Sequence, residues 1–282
     1  MKARWEYLLI PPLIFSSLLL VVSQFVFLQG SFRRDLGIGR LGHELGLFNY
    51  AQVLADPYYL ETLKLSLFVS VSATVLTLLL AFPVAYVIAR MRSRWAMVLL
   101  AAVVTSSFVT IVVKVLGIIL IFSNNGPFNK LMMWIGLVAE PISIIGSLSG
   151  VVIGLMYYSF GFAVLLFYSV VVTVPRSVEE AAEVHGASRF QVFVQVVLPL
   201  AMPGIVAGAL MIFNVSMGGF SSTALIGAGK VLTLPVVIQR TMLLETSFGM
   251  AAALAAVLLV SVLLINLVSV AIAVRSQKGL VV

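Results

Sequence analysis

The chain has 282 residues, of which 62% are hydrophobic and 10% are charged, and its formal net charge is +7. This composition excludes an ordinary soluble domain and predicts an all-α polytopic membrane protein. Cysteine is absent, and neither His43 nor His185 has a second ligand at metal spacing, so we expect no disulfide and no metal site.

Long apolar runs with few charges predict six membrane-spanning helices, since about 20 apolar residues cross a bilayer. The expected spans lie near residues 7–29, 60–90, 96–122, 144–173, 201–224 and 248–274. The segments between them are too short for an independent core, so residues 1–282 are predicted to form a single transmembrane domain. The first run has the positive flank of a secretory signal. An uncleaved span is favoured because the run is too long and lacks a small-residue cleavage site.

Lys and Arg are distributed unequally between the two predicted faces of the membrane. The face with both termini would carry nine of them and the other face six: Lys2, Arg4, Arg90, Arg92, Arg94, Arg176, Arg189, Arg275 and Lys278, against Arg33, Arg34, Arg40, Lys130, Lys230 and Arg240. The bias predicts cytoplasmic termini. It also explains the net charge, so we expect no nucleic-acid partner.

The predicted cytoplasmic loop at residues 174–199 has the pattern of two short helices joined by a glycine turn. Pro175 ends the fourth span, and Ser177 with Glu180 three positions later is a predicted capping box for the first helix. Gly186 is a natural left-handed stop for that helix.

A second predicted capping box, Ser188 with Gln191, begins an amphipathic helix that is expected to end at Leu198 and Pro199. Its apolar residues recur at helical spacing: Phe190, Phe193, Val194 and Val197. From physical chemistry alone, an interfacial helix on the membrane surface explains the loop equally well.

The spacing in this loop resembles the EAA loop of the membrane subunits of bacterial ATP-binding-cassette (ABC) importers. The pattern runs Glu180-Ala181-Ala182, three residues, Gly186, nine residues, Val196, one residue, Leu198-Pro199. Val196 stands where the family usually has Ile. In such importers the loop is a coupling helix that docks on a cytoplasmic ATPase. The resemblance implies that coupling involves these residues: Glu180, Ala181, Ala182, Gly186, Leu198 and Pro199.

Residues 56–90 and 113–131 resemble segments of the spermidine/putrescine-type permeases, which have the MetI-like fold. The resemblance implies a multi-pass permease subunit in the bacterial inner membrane that imports a polyamine or a related small amine or amino-acid-like compound by alternating access. An opine, iron complex, aminophosphonate or other anionic or zwitterionic solute is the alternative cargo. The implied partners are an ABC ATPase dimer, an identical or homologous second permease subunit and an extracytoplasmic solute-binding protein, with lipid around the spans.

The chain is expected not to be an enzyme and to hold no cofactor. Residues 227–231, GAGKV, lack the first Gly and the Ser or Thr of a P-loop, so ATP and Mg should bind to the partner ATPase. A secondary transporter or channel would need ion-coupling carboxylates at depth in the spans, and an intramembrane enzyme would need a Ser/His or carboxylate pair there. The predicted spans have neither.

Polar residues within the predicted spans are candidates for the substrate path: Lys114, Tyr157, Tyr158, Asn214, Ser216 and Gly218. Lys114 could instead snorkel to the lipid headgroups, and the other polar side chains could form interhelical hydrogen bonds. Gly218 and Gly219 are expected to unwind the fifth helix. Since Lys114 would repel a polyamine, selectivity for a cation would depend on the binding protein or on aromatic rings such as Tyr157 and Tyr158.

Overall fold

The structure, a computed structural model, describes the backbone of residues 6–278 and the side chains of residues 10–272. Lys2 and Arg4, counted above for topology, lie outside this range, as do the side chains of Arg275 and Lys278. The elements in chain order are α1 (Glu6–Ser31), β1 (Arg33–Asp35), β2 (Leu41–Leu45), α2 (Phe48–Ala55), α3 (Pro57–Arg90), α4 (Trp95–Phe108), α5 (Ile111–Phe122), α6 (Pro127–Trp134), α7 (Leu148–Val172), α8 (Arg176–Val184), α9 (Arg189–Val192), a π-helical segment (Phe193–Val197), α10 (Leu198–Met217), α11 (Phe220–Gly227), α12 (Leu234–Leu243) and α13 (Phe248–Lys278).

Six helical segments within the described residues are long and apolar enough to cross a membrane, which confirms the predicted number. They are Ile10–Ser31, Pro57–Arg90, Ile111–Trp134, Leu148–Val172, Arg189–Met217 and Phe248–Ile272. The chain divides into two compact units, and α3 and α13 each contribute to both. One unit comprises Met1–Leu63 with Leu234–Ser261, and the other comprises Lys64–Thr233 with Val262–Val282.

The first unit contains a short antiparallel hairpin formed by β1 and β2, which pairs Arg33 with Leu45. Buried Asn49 of α2 holds this hairpin, because its side-chain amide donates to the carbonyl oxygens of Ser31 (2.8 Å) and Arg33 (2.9 Å). Asp35 accepts a hydrogen bond from the backbone N–H of Gly249 (3.0 Å), so the hairpin is also fixed to the start of α13.

The second unit is built around α7, whose buried side chains face the helices α4, α5, α10 and α11. Ser147 caps α7 by accepting a hydrogen bond from the backbone N–H of Gly150 (3.0 Å). Two buried apolar clusters lie along this helix. One surrounds Phe167 and the other surrounds Leu155, and both of these side chains are fully buried.

Small residues allow close approach of helices in this second unit. A Cβ added at Gly204 would lie 2.5 Å from Val170 Cγ1, and one at Gly208 would lie 2.6 Å from Phe167 Cε1.

The predicted unwinding at Gly218 and Gly219 is confirmed, since α10 ends at Met217 and α11 begins at Phe220.

The predicted third span at 96–122 is not one continuous helix. It divides into α4 and α5, because Val109 and Thr110 have extended backbone conformations with ψ of 128° and 150°. Apart from Phe108, the residues around this break are Ser, Thr and β-branched residues, which are weaker helix formers than Ala or Leu. Lys114 therefore belongs to α5 and not to the helix that begins at Trp95.

Two local predictions for the loop at 174–199 were also wrong. The helix α8 begins at Arg176 after an extended Pro175 and has no side-chain cap, so Ser177 lies within the first turn and forms no capping box with Glu180. The second helix does not end at Leu198 and Pro199 but continues through the π-helical segment into α10. A widened turn accommodates Pro199, which has no N–H to donate to the preceding turn.

Candidate functional site

The helix α8 is attached to the end of α3 through the carboxylate of Glu179. This side chain forms an ion pair with Arg90, the last residue of α3, and it accepts a hydrogen bond from Tyr86 Oη at 3.0 Å. The side chains of Arg90 and Glu179 are only 15% and 11% exposed. Separation of a buried ion pair of this kind leaves an uncompensated buried charge, which strongly destabilises the protein. The pair therefore holds α8 in a defined position.

Arginine side chains also connect the ends of α3 and α7. Arg90 Nη2 donates to the carbonyl oxygens of Val171 (3.2 Å) and Val174 (2.9 Å), at the C-terminal end of α7. Arg176 of α8 donates to the carbonyl oxygen of Ala89 (2.9 Å), at the end of α3. These carbonyl groups lie at the C-terminal ends of helices, where a cation interacts favourably with the helix dipole. The helix α8 is therefore attached to the end of α3, and through Arg90 to the end of α7.

The opposite side of the loop is exposed and partly apolar. Val184 and Phe190 are 85% and 74% exposed, and they flank the turn at Gly186, where φ is +89°. The left-handed turn predicted at Gly186 is thus confirmed. The second predicted capping box is present as well: Ser188 N–H donates to Gln191 Oε1 (2.8 Å), and Gln191 N–H donates to Ser188 Oγ (3.4 Å). Two exposed apolar side chains on either side of this turn form a candidate docking surface.

The coupling residues predicted from the sequence lie in different environments along this loop. Glu180 is exposed and forms a long ion pair with Arg92 (3.6 Å), while Ala182 packs against the apolar cluster around Phe167. Ala181, Gly186 and Pro199 are exposed, and Leu198 is partly buried. The predicted apolar face of the second helix was only partly right, because Val192 and Val197 are buried whereas Phe190 is exposed.

Three of the candidate path residues meet in a second site. Lys114 is 5% exposed, and its Nζ atom lies 5.9 Å from the ring centroid of Tyr157 and 5.8 Å from that of Tyr158. Both distances fall within the range of cation–π attraction. A cavity of about 260 Å³ adjoins Lys114 and Tyr158 and is also lined by Ser159. The burial of Lys114 argues against the snorkelling alternative.

The other candidate path residues are not part of this cavity. Asn214 accepts a hydrogen bond from the side-chain amide of Asn266 in α13 (3.0 Å), which agrees with the alternative of an interhelical hydrogen bond. Ser216 is 4% exposed, and its hydroxyl has no hydrogen-bond partner among the described residues. Gly218 lies at the break between α10 and α11.

Sequence reasoning did not select Glu179, Tyr86 or Arg176, although all three fix the position of α8. Glu179 directly precedes the EAA pattern, and a glutamate in the first turn of a helix is favourable there whether it is exposed or buried. Its burial was not foreseen, because its partners Arg90 and Tyr86 lie on a distant segment of the chain. The signal in the sequence is the combination of an acidic residue at the start of the loop helix with a basic residue, Arg90, at the end of a membrane span.

Residues 78–279 match the protein family described as "Binding-protein-dependent transport system inner membrane component". The chain belongs to this family. It is similar to the spermidine/putrescine transport system permease protein PotB of Salmonella typhimurium, with 35% identity over 193 residues, covering 68% of this chain and 67% of that protein. The PotB protein of Haemophilus influenzae is 32% identical over 218 residues, covering 77% of this chain and 76% of its own length.

Membership of the family identifies the chain as a multi-pass component of the inner membrane. A solved bacterial alginate ABC transporter in complex with an alginate pentasaccharide-bound periplasmic protein contains a similar chain, with a TM-score of 0.79, 20% identity and coverage of 98% of each chain. At this identity the likeness shows the fold alone. Together with the family it confirms the predicted MetI-like permease fold.

Proposed function

We propose that this chain is one of two permease subunits in an ATP-driven importer that moves polyamines from a periplasmic binding protein into the cytoplasm. The observation that supports the cargo is the identity of 32–35% with spermidine/putrescine permeases over most of the chain. The opines, iron complexes and other alternative cargoes are not favoured by these relatives. A secondary transporter or channel is inconsistent with the family.

The loop at 174–199 is the proposed contact with the ATPase. Exposed Val184 and Phe190 would enter a cleft on the partner, and Gly186 provides the turn between them. Glu180, Ala181, Ala182, Leu198 and Pro199 complete the coupling segment. ATP and Mg would bind to the ATPase dimer, so this chain would contribute no catalytic residue. Both termini would face the cytoplasm, as the distribution of Lys and Arg indicates.

Transport would follow from the attachment of α8 to the spans. Closure of the ATPase dimer on ATP would draw the coupling segments of the two permease subunits together. Because Arg90 and Arg176 connect α8 to the ends of α3 and α7, this motion would be transmitted to both helices. The motion would change the side of the membrane to which the substrate path is open, which is an alternating-access step. It would be driven by tighter binding of ATP to one of the two conformations than to the other.

Reconstitution of the complete complex tests the proposal. Proteoliposomes that contain both permease subunits and the ATPase would be supplied with the binding protein and radiolabelled spermidine or putrescine. We expect uptake that requires hydrolysable ATP and the binding protein. Uptake of an anionic or zwitterionic solute with no polyamine uptake would overturn the proposed cargo. Polyamine uptake without ATP hydrolysis would overturn the proposed mechanism.

A further inference from the structure

The side chain of Lys114 occupies an aromatic site that has the chemistry of an ammonium receptor. Its Nζ atom lies 5.9 Å and 5.8 Å from the ring centroids of Tyr157 and Tyr158, two consecutive residues of α7. Rings whose faces lie within about 6 Å of a cation attract it electrostatically, and they attract it most strongly where water is excluded. The residue is 5% exposed, so this attraction acts in a largely desolvated place.

No carboxylate balances this lysine in the part of the chain whose side chains are described. The ion pairs found there join Arg90 with Glu179, Arg92 with Glu180, and Arg240 with Glu245, and none involves Lys114. A charged group in a membrane span is costly and usually marks a functional position. The two tyrosine rings are therefore the groups that stabilise the ammonium in this structure.

The cavity beside Lys114 has room and an unused polar group. Its volume of about 260 Å³ lies just below the roughly 300–1,000 Å³ of sites for drug-sized ligands, so it suits a slender aminoalkyl chain. Ser159 lines the cavity and is 3% exposed, and its hydroxyl has no hydrogen-bond partner among the described residues. A hydroxyl oxygen of this kind accepts a hydrogen bond from an ammonium group.

A lysine side chain consists of four methylene groups that end in a primary ammonium, so it matches a doubly charged 1,4-diaminobutane that lacks one of its two ammonium groups. We propose that Lys114 is a built-in surrogate for the cargo. Its ammonium fills the site formed by Tyr157, Tyr158 and Ser159 when no cargo is present, and the ammonium of a passing polyamine displaces it. The inference depends on the proposed polyamine cargo and adds the site at which the cargo is held within the span.

The arrangement explains how a permease could carry a polycation past a lysine with no acidic residue at depth. Cargo and Lys114 compete for one aromatic site, so they do not occupy it together. Competition also keeps the affinity of the site low, which favours release of the cargo. Tyr157 does not line the cavity and is 43% exposed, so one of the two rings that face Lys114 is also accessible from outside this chain.

Direct binding to the detergent-solubilised complex of permeases and ATPase, without the binding protein, tests the proposal. The probe is radiolabelled putrescine, and the variant is Lys114→Met, which keeps an unbranched side chain one atom shorter than lysine but removes its charge. Removal of the competitor should tighten putrescine binding by roughly 3- to 30-fold, the range expected for loss of a cation–π contact. Lys114→Arg is the matched control, and it should bind putrescine no more tightly than the unaltered complex.

A second change identifies the site. In the Lys114→Met background, Tyr158→Leu should abolish the gain in affinity, because the rings would no longer attract the cargo ammonium. If the Met variant fails to insert into the membrane, Lys114→Gln repeats the comparison. Unchanged or weaker putrescine binding in the Met or Gln variant would overturn the proposal, as would a gain that survives Tyr158→Leu.

The outcome is distinguishable from failure of the proposed function. If the unaltered complex imports no polyamine in the proteoliposome assay, the proposed function fails and this inference fails with it. If that complex imports polyamines and the uncharged variants show no gain in putrescine affinity, only the surrogate role of Lys114 is wrong.

Discussion

Arg90, the last residue of α3, forms a buried ion pair with Glu179 of α8 and also donates hydrogen bonds to two carbonyl groups at the end of α7. One guanidinium group thus connects two membrane-spanning helices with the loop that is proposed to contact the ATPase. Tyr86 completes the arrangement with its hydrogen bond to the second carboxylate oxygen of Glu179. The loop is therefore not a flexible connection between spans.

The first prediction concerns the Arg90–Glu179 pair. Glu179→Ala leaves Arg90 buried without its counter-charge, which typically costs about 3–5 kcal/mol. We expect the variant complex to hydrolyse ATP while its polyamine uptake per ATP falls at least tenfold, because α8 would move without moving α3 and α7. Parallel measurements of ATP hydrolysis and uptake in proteoliposomes check this.

The exposed neighbouring pair is the matched control. Arg92 and Glu180 are 3.6 Å apart, and their side chains are 81% and 63% exposed. Such surface pairs contribute about 0–1 kcal/mol, so Arg92→Ala should leave the ratio of uptake to ATP hydrolysis within twofold of the unaltered complex. An equal loss of coupling in both variants would show that α8 is sensitive to any charge change and would contradict a specific role for the buried pair.

The second prediction concerns Gly186, whose φ of +89° is unfavourable for L side chains, although a Cβ there would meet no atom within 4 Å. The requirement is thus conformational rather than steric. Gly186→Asn should be tolerated, Gly186→Ala should cost about 1–2 kcal/mol, and Gly186→Val should cost the most, because β-branched residues avoid left-handed conformations.

Copurification of the ATPase with each variant measures this series. We expect retention of the ATPase to fall in the order Gly, Asn, Ala, Val, while the amount of permease in the membrane stays unchanged. Equal retention of the ATPase by the Val variant and the unaltered protein would show that the turn at Gly186 does not present the docking surface.

Much of the fold could be predicted from the sequence, because membrane spans and helix ends leave local signals. Long apolar runs indicate the six spans. Gly218 and Gly219 indicate the break after α10, and the pair Ser188 and Gln191 indicates the start of α9. Each signal depends on residues that are close together in the sequence. The left-handed turn at Gly186 could be predicted for the same reason.

The remaining features depend on contacts between distant segments. Glu179 pairs with residues at the end of α3, so no local pattern distinguishes it from the exposed Glu180. The break at Val109 and Thr110 has neither Pro nor Gly, and it divides a long run that is mainly apolar. The position of Lys114 near two tyrosine rings likewise depends on how α5 packs against α7.

The third prediction tests the packing of α10 against α7. A Cβ at Gly208 would lie 2.6 Å from Phe167 Cε1 and 2.7 Å from Leu166 Cδ2, so Gly208→Val should cost about 1–3 kcal/mol through overpacking. Gly117 of α5 is the control, because its Cβ would meet nothing within 4 Å. Gly117→Ala should be neutral or stabilising by about 0.5–1 kcal/mol. Thermal unfolding in detergent checks both variants, and equal melting temperatures for the two would contradict close packing at Gly208.

The last prediction separates two roles for Asn214, which the sequence suggested as a contact for cargo. Its side-chain oxygen accepts a hydrogen bond from the amide of Asn266 at 3.0 Å. Interhelical hydrogen bonds in membranes average about 0.6 kcal/mol and reach about 1.7 kcal/mol. If this bond is the role of Asn214, then Asn214→Leu and Asn266→Leu should lower thermal stability equally, and the double variant should lose no more than either single variant. Polyamine uptake should stay within twofold in all three. A large loss of uptake in Asn214→Leu alone, with stability matched to Asn266→Leu, would instead assign Asn214 to the substrate path.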